Sequence, residues 1–421
     1  MDGLMPAESA GEKRVRPQRL FRPHMQKFVS GLLAVLLTAG CAVSPEVEPE
    51  ESEAPPPLQP HEQTRKEAEA LIGRLMEKNV TYGALRDPED RYNLNIVKNV
   101  HIIAPVTGEY SINKTKTNYD VGGTDLGTMW SHDGKIYLAY GDTFRHEPQT
   151  DNWRSNVLAY TTDFDYTDGI LFDGMILNNR GEAKELLRGK KIDNLEVTKI
   201  PTGGISIGGA MYLSFMSVKH WGEAGVWDCN FGQVAKSVDG GETWQYMDSL
   251  KWPGDSKFCQ MAPVVDGDWV YVPGITGGRN GSAALMRVPV ERYEDYEAYE
   301  YLTAVNDDGS PVFVKGQDGL ANVCSLLPKP VGEMSFMYSE YLGEWLVTYI
   351  MGLDIIVRSA KDIWGPYSAP VKIAAQEDFP GLYGAFMHPS YVSEGGKKIG
   401  FMMSLWTPIY NSFIMEMELE K

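Results

Sequence analysis

From Asn95 onward one pattern recurs along the chain: an apolar strand, a tight turn, then a second strand rich in Tyr, Trp and Val. It occurs at Thr124–Tyr140, at Gly203–Met216 around Gly208-Gly209, and at Gln260–Pro273 around Asp266-Gly267-Asp268. It returns at Glu333–Ile350 around Leu342-Gly343 and at Phe386–Leu405 around Glu394-Gly395-Gly396. Each unit is a short β-forming run punctuated by turn residues, the signature of a hairpin. Five such units at uneven spacing predict an all-β fold, a five-bladed β-propeller. Three strands are readable in the last blade, ending with Asn411 to Leu419. A strand near Asn99 to Pro105 is expected to supply its fourth and close the ring.

One helix is expected outside this pattern. Over Glu62 to Asn79, Ala68, Leu71, Ile72, Leu75 and Met76 fall on one stripe at helical spacing, so the helix should pack on the outside of the domain. Glu182 to Arg188 is the other segment with helical character. Ser237-Val238-Asp239-Gly240-Gly241-Glu242-Thr243-Trp244 matches the Asp-box pattern S-x-D-x-G-x-T-W, which resembles the turns of sialidase-type propellers. That motif speaks to architecture, and Asp239 and Glu242 are read as structural.

The first 40 residues read as a leader. Arg14, Arg16, Arg19, Arg22 and Lys27 precede the apolar run Phe28 to Leu37, which is too short to cross a bilayer as a helix. Leu37-Thr38-Ala39-Gly40-Cys41 resembles a bacterial lipobox, with Thr38 standing where Leu is usual, and makes Cys41 the lipidation site. The alternative is an ordinary signal peptide with a chance cysteine, and Met25 is a second candidate start. Ser44 to Pro60 carries Glu46, Glu48, Glu50, Glu51 and Glu53 and the run Pro55-Pro56-Pro57, a composition that cannot bury a core. The expected organisation is a lipoprotein signal peptide over 1–40, a lipidated tether over 41–61, a helical extension over 62–93 and the propeller over 94–421. The expected location is outside the cytoplasm, lipid-anchored to the cell membrane or outer membrane.

A net charge of −18 argues against nucleic acid, whose phosphates require a basic face. Beyond Cys41 only Cys229, Cys259 and Cys324 remain, enough for one disulfide and without the paired spacing of a zinc site. No cofactor is called for, and the residues leave open whether a structural Ca²⁺ occupies the axial channel. The expected partners are a polysaccharide and, through the lipid alone, a membrane; a monomer is expected.

Propeller geometry selects the candidate site, because innermost strands begin at one mouth of the axial channel. Those starts carry Asp125, Thr202 to Gly204, Phe258 to Gln260, Glu333, and Tyr383 to His388. In the first blade the second strand returns to that mouth with Asp142, and the third leaves from it with Trp153, Arg154 and Asn156. Asp125 in GGTDLG and Asp142 in YGDTF therefore meet at one sheet end. Two carboxylates so placed can divide acid and base duties, since each disfavours ionisation of the other. Loop aspartates more often cap backbone N–H groups, but here glycines and aromatic and cationic residues surround them. Arg154, Asn156, Glu333, His388, Tyr383 and Trp153 are the candidate substrate-binding groups, giving a carbohydrate-type rim. Glu333 has a competing reading as an ion-pair partner of Arg358 or Lys329.

GGTDLG, YGDTF, WRSNVLA, Gly332-Glu333-Met334-Ser335, Ile363-Trp364-Gly365-Pro366-Tyr367-Ser368 and Tyr383 to Pro389 together resemble the domain of unknown function 4185 family, classified in part as glycoside hydrolase family 183. The resemblance runs from about Asn99 to Leu419. It implies an endo-D-arabinanase with its two catalytic aspartates at Asp125 and Asp142, acting on α-linked arabinofuranose chains. Two other functions compete. A non-catalytic glycan-binding surface lipoprotein would use the same rim without needing two carboxylates. A sialidase, suggested by the Asp box, would need a cluster of three arginines that the rim does not offer.

Overall fold

The computed structural model describes residues 60–83, 92–147, 149 and 151–421, with side chains from residue 66 onward. The leader, Cys41 and the tether lie outside the described residues. The strands form five sheets in a propeller arrangement. The first holds Leu126–His132, Lys135–Tyr140, Val157–Thr161 and Gly174–Met175; the second holds Thr198–Ile207, Ala210–Trp221, Trp227–Ser237 and Gln245–Pro253. The fourth is Met334–Ser339, Glu344–Met351, Asp354–Ala360 and Val371–Ala375. These three are plain antiparallel four-stranded meanders.

The other two depart from that plan. In the third sheet the expected innermost strand is broken, so that Gln260–Met261 and Val264–Asp266 pair separately with Trp269–Ile275. Pro263 lies at the break and has no N–H to give a ladder. Extra strands extend the sheet to seven. In the fifth sheet, Leu382–Ser393, Lys398–Leu405 and Asn411–Glu420 are joined by Ile96–Pro105, as expected, and by the two-residue strand Asn79–Val80. Of the expected five-bladed β-propeller, the all-β propeller arrangement stands, built of unequal sheets of which three are regular four-stranded blades.

The turns follow from their residues. Asp133 and Gly134 both have positive φ, at 46° and 73°, as do Gly208 and Gly209, at 59° and 78°. That is the backbone a two-residue hairpin needs to match strand twist. The innermost strands touch in sequence: 126–132 lies between 382–393 and 198–207, the last of which touches 260–261, while 334–339 touches 382–393. Leu327–Val331 against Glu344–Met351 joins the third and fourth sheets. Packing between sheets is apolar and close. Phe401 and Phe413 are fully buried, and a Cβ on Gly400 would meet the Tyr166 ring at 2.7 Å. Truncating either Phe to Ala would cost about 3–5 kcal/mol.

The expected amphipathic helix is present as Pro60–Met76, with Ile72 and Leu75 buried against the strand Ile96–Pro105 and Met76 left exposed. Glu182 to Arg188 is not a helix. Its amides are taken by other partners: Ala183 N–H donates to the Tyr119 carbonyl, and Leu186 and Leu187 N–H donate to Asn156 Oδ1. The Asp box joins Trp227–Ser237 to Gln245–Pro253 and is structural, as read. Asp239 accepts from the Thr243 N–H at 2.9 Å and its hydroxyl at 2.5 Å, and Trp244 donates to Gly241. Cys229, Cys259 and Cys324 are free thiols. Among the described residues no helix is long and apolar enough to cross a membrane, and no cluster of three His, Cys, Asp or Glu is arranged to hold a metal.

Candidate active site

A cavity of about 410 Å³ opens where the innermost strands begin, and Asp125 and Asp142 both line it. The backbone that presents Asp125 is unusual. Leu126 has φ +67° and Gly127 φ +92°, and the strand slips register there against its partner. A non-glycine residue in the left-handed region is held there only by its surroundings. Ser404 supplies them, accepting from Leu126 N–H at 2.8 Å and donating to its carbonyl at 3.4 Å. The bulge shifts the register between Leu126 and Thr128, so the strand's alternation is reset just after Asp125. Opposite it, Gly141 leaves no room for a side chain: a Cβ there would lie 2.3 Å from Asp125 Oδ1.

The two carboxyls sit in different surroundings. Asp125 Oδ2 accepts from the Tyr383 hydroxyl at 2.7 Å. Its Oδ1 is buried without a hydrogen-bond partner, because the nearby Tyr410 hydroxyl donates instead to the Asp142 backbone carbonyl at 2.9 Å. Asp142 is better supplied. Thr198 Oγ1 and Trp153 Nε1 both donate to its Oδ1, at 2.6 Å and 2.7 Å. Each carboxyl keeps some surface open to the cavity and is otherwise wrapped by protein.

Their acidities separate accordingly. Burial pushes Asp125 up to about 7, with the Tyr383 and nearby Tyr410 hydroxyls opposing it and the charges of Asp142 and Glu333 adding to it. Burial pushes Asp142 only to about 6, because Thr198, Trp153 and the Lys191 ammonium favour its ionised form. Between these values the dominant state is one proton on the pair, held by Asp125. In that state Asp125 has a proton to give and Asp142 can take one.

Of the six expected substrate-binding groups, Tyr383 and Glu333 line the cavity, while Trp153, Arg154, Asn156 and His388 do not. Glu333 takes neither Arg358 nor Lys329 as a partner. Both its oxygens are held by Arg279, Nε to Oε2 at 2.9 Å and Nη2 to Oε1 at 2.7 Å. Trp153 acts behind Asp142 and stacks on Phe144. Arg154 is buried and spends its guanidinium on the carbonyls of Asn152, Asp120 and Ala183. Asn156 is equally occupied, donating to the carbonyls of Leu187 and Lys199 and accepting from two amides. Both are corrected from substrate-facing groups to structural ones: Arg154 ties together the carbonyls of residues 120, 152 and 183, and Asn156 staples the 182–199 segment.

His388 is displaced further. It lines a second cavity of about 640 Å³, bounded by residues farther along the innermost strands, such as Trp130, Ser206 and Tyr338. Thr202, Ala262, Met334 and Phe386 line both cavities and form the layer between them. Burial lowers the His388 pKa to about 4. Its Nδ1 accepts from Ser390 N–H, so Nε2 carries the proton and donates to Ser131 Oγ at 3.1 Å. A histidine so arranged cannot serve as a base for Ser131.

Arg279 is a cavity-lining residue that the strand pattern missed, since it sits in the Thr276-Gly-Gly-Arg-Asn loop between strands. Gln260 anchors that loop by donating to the carbonyls of Thr276 and Gly278. The Arg279 guanidinium lies 5.2 Å from the Tyr383 ring centre and 5.6 Å from that of Trp227. Glu333, Arg279 and Tyr383 thus form one rigid wall ending on Asp125. A charged residue beside two glycines in a connection was the available signal. Trp221, Trp406, Tyr410 and Thr198 were also absent from the sequence-level site.

The fold resembles that of a candidate hydrolase from Bacteroides ovatus, at TM-score 0.53 and 11% identity, covering 79% of this chain and 93% of that one. A family 117 glycoside hydrolase from Zobellia galactanivorans aligns at TM-score 0.40 and 14% identity, over 76% of this chain and 90% of that one. No curated protein matches the sequence. The profile of the domain of unknown function 4185 matches residues 110–416, most of the chain, and the protein belongs to that family.

Proposed function

We propose that this protein is a glycoside hydrolase that cleaves a neutral furanose polysaccharide, D-arabinan first among the candidates, by acid–base catalysis at Asp125 and Asp142. The observation that carries the reading is the pair itself: two carboxyls in one cavity whose surroundings set their acidities apart, Asp125 towards about 7 and Asp142 towards about 6. The shared fold with a candidate hydrolase fits it. The five sheets are read as the five blades of one propeller, with the cavity at one end of its axis.

The step follows from the protonation states. Asp125 gives its proton to the departing glycosidic oxygen as the bond from that oxygen to the anomeric carbon breaks. Asp142 takes a proton from a water whose oxygen bonds to the same carbon, which inverts its configuration. The proton balance resets when Asp142 returns its proton and Asp125 regains one from solvent. Donors converge on Asp142 Oδ1, leaving Oδ2 without a protein donor among the described residues and available to the water.

The charge balance of the wall supports a neutral substrate. Arg279 is the one arginine among the described residues lining the cavity, and Glu333 pairs its Nε and Nη2 and balances its charge. Among the described lining residues no cation without a carboxylate partner is left for an acidic sugar, which disfavours a sialidase. We also propose that the leader delivers the chain out of the cytoplasm and that Cys41 carries a lipid anchor.

The test is to incubate the protein from Glu62 onward with D-arabinan, L-arabinan and related furanose polymers and size the products. Release of fragments from D-arabinan, with the new reducing end in the inverted configuration by proton NMR, is expected. No fragments from any furanose polymer would overturn the reading. A labelled fatty acid that still enters Cys41→Ala would overturn the anchor.

A further inference from the structure

Two tryptophans on the cavity wall have no role in the acid–base step. Trp221 is 38% exposed and Trp406 59% exposed, and both line the cavity that holds the carboxyl pair. Single exposed apolar residues are common on protein surfaces, but these two face one cavity from different sheets. Trp221 ends the second strand of the second sheet, Ala210–Trp221. Trp406 follows Lys398–Leu405, the second strand of the fifth sheet. The first sheet, which carries Asp125 and Asp142, lies between those two sheets in the ring.

Contacts run outward from the carboxyl pair to each tryptophan by separate routes. On one side Asp125 is bonded to Tyr383, whose ring faces Arg279, which faces Trp227, whose ring meets Trp221 edge-on at 5.3 Å. The Arg279 backbone N–H donates to Gly225 at 2.9 Å, tying the 222–226 hairpin tip that follows Trp221 to this wall. On the other side Tyr410 bonds the Asp142 carbonyl and packs on Phe144, and Trp406 stands four residues before it. The Trp406 N–H donates to Gly381 at 2.9 Å, and Gly381 has φ +83° with no room for a Cβ against Thr407. Both rings are therefore mounted on fixed backbone, one on each flank of the reacting pair.

We propose that Trp221 and Trp406 are stacking platforms for sugar rings on opposite sides of the cleaved bond, so that they set the length of chain the site prefers. This rests on the glycoside hydrolase reading above. An indole presents a flat apolar face that matches the C–H face of a sugar ring, and it loses little side-chain freedom on binding. A polymer crossing the cavity would engage both platforms, while a fragment spanning only the scissile bond would engage neither.

The experiment uses wild type, Trp221→Ala, Trp406→Ala and the double variant. It measures kinetics on D-arabinan and on the smallest D-arabinan fragment that wild type cleaves, together with retardation in native gels cast with D-arabinan. Each single change is expected to raise KM for the polymer about tenfold and weaken retardation, with kcat/KM on the smallest fragment within about twofold of wild type. Variants that match wild type on the polymer, or that lose equally on fragment and polymer, would overturn the platforms. A wild type that is retarded but releases no product would sink the hydrolase reading alone, since retardation of the variants still decides the platforms. One that is neither retarded nor active on D-arabinan or L-arabinan would overturn both.

Discussion

Asp125 in GGTDLG and Asp239 in SVDGGETW look alike in the sequence: a turn aspartate among glycines, next to a β-hairpin. Physically they are opposites. Asp239 is exposed; the little burial it has pushes its pKa up, but the Thr243 and Ser237 donors outweigh that and hold it below the usual carboxylate range. Asp125 has one donor, one oxygen with no partner and a carboxylate neighbour, and its pKa is pushed up to about 7. One turn satisfies its aspartate and gains stability from it. The other leaves its aspartate short of donors and so keeps it ready to hold and release a proton. The difference between a structural and a chemical aspartate is thus a count of hydrogen bonds and neighbours, and residue type does not reveal it.

The sharpest way to break this contrast is to neutralise each carboxyl. Asp125→Asn and Asp142→Asn should each lower turnover on the order of 10²–10⁴-fold while the protein stays folded. Stability should respond in the opposite sense from a structural residue. A buried acid whose folded pKa is raised contributes stability at low pH that is lost as pH climbs from 3.8 to about 7. Asp125→Asn cannot ionise, so thermal melts above pH 7 should show it gaining on wild type. A variant that melts lower than wild type at pH 8 would make Asp125 a structural residue like Asp239.

Glycine substitutions test the same contrast at the next level. In Gly141→Ala the new Cβ falls 2.3 Å from Asp125 Oδ1, so the carboxyl must shift, and activity should drop about 10²-fold. In the Asp box, Gly240→Ala meets only the Tyr137 hydroxyl, at 3.6 Å, and strains a backbone at φ +72°. It should cost about 1 kcal/mol of stability and leave kcat unchanged. Asp239→Ala belongs with it: about 1 kcal/mol in denaturant unfolding, from hydrogen bonds lost at an exposed turn, and no change in turnover. Loss of activity in either Asp-box variant would erase the distinction.

The contrast also explains what could be read from the chain. The strands were legible because short β-forming runs and glycine turns are local signals, and Asp125, Asp142, Glu333 and Tyr383 followed because strand starts define a rim. His388 failed for a geometric reason. It lies five residues beyond Tyr383 on the strand Leu382–Ser393, and at about 3.3 Å per residue that is roughly 16 Å along the axis, at the other cavity. Arg154 and Asn156 precede the strand Val157–Thr161 at the correct end, but backbone carbonyls claim them. Those of Asn152, Asp120 and Ala183 take Arg154, and those of Leu187 and Lys199 take Asn156. The path of the 182–199 segment is not written in its own residues. Arg279 sits in a loop, where no periodicity points. The broken strand of the third sheet was hidden because the residues from Gln260 to the Asp266-Gly267-Asp268 turn read as one β run.

The smallest expected effect separates the two carboxyls from each other. Activity should follow a bell in pH, its acid limb set by ionisation of Asp142 near 6 and its basic limb by loss of the Asp125 proton near 7. Thr198→Val removes one of two donors to Asp142 Oδ1 while keeping the side chain's shape. Since that hydrogen bond lowers the Asp142 pKa, its loss should move the acid limb to higher pH. Tyr383→Phe removes the donor to Asp125 Oδ2 but keeps the ring that faces Arg279. That hydrogen bond lowers the Asp125 pKa, so the basic limb should move to higher pH. The carboxyls interact, so each variant should also carry the other limb slightly, and the comparison is between the larger shifts. Measured as kcat/KM against pH, the two variants should widen the bell and narrow it respectively: Tyr383→Phe widens it from the basic side, Thr198→Val narrows it from the acid side. If Thr198→Val moves the basic limb and Tyr383→Phe the acid limb, the roles are exchanged, and Asp142 is the residue that protonates the leaving group.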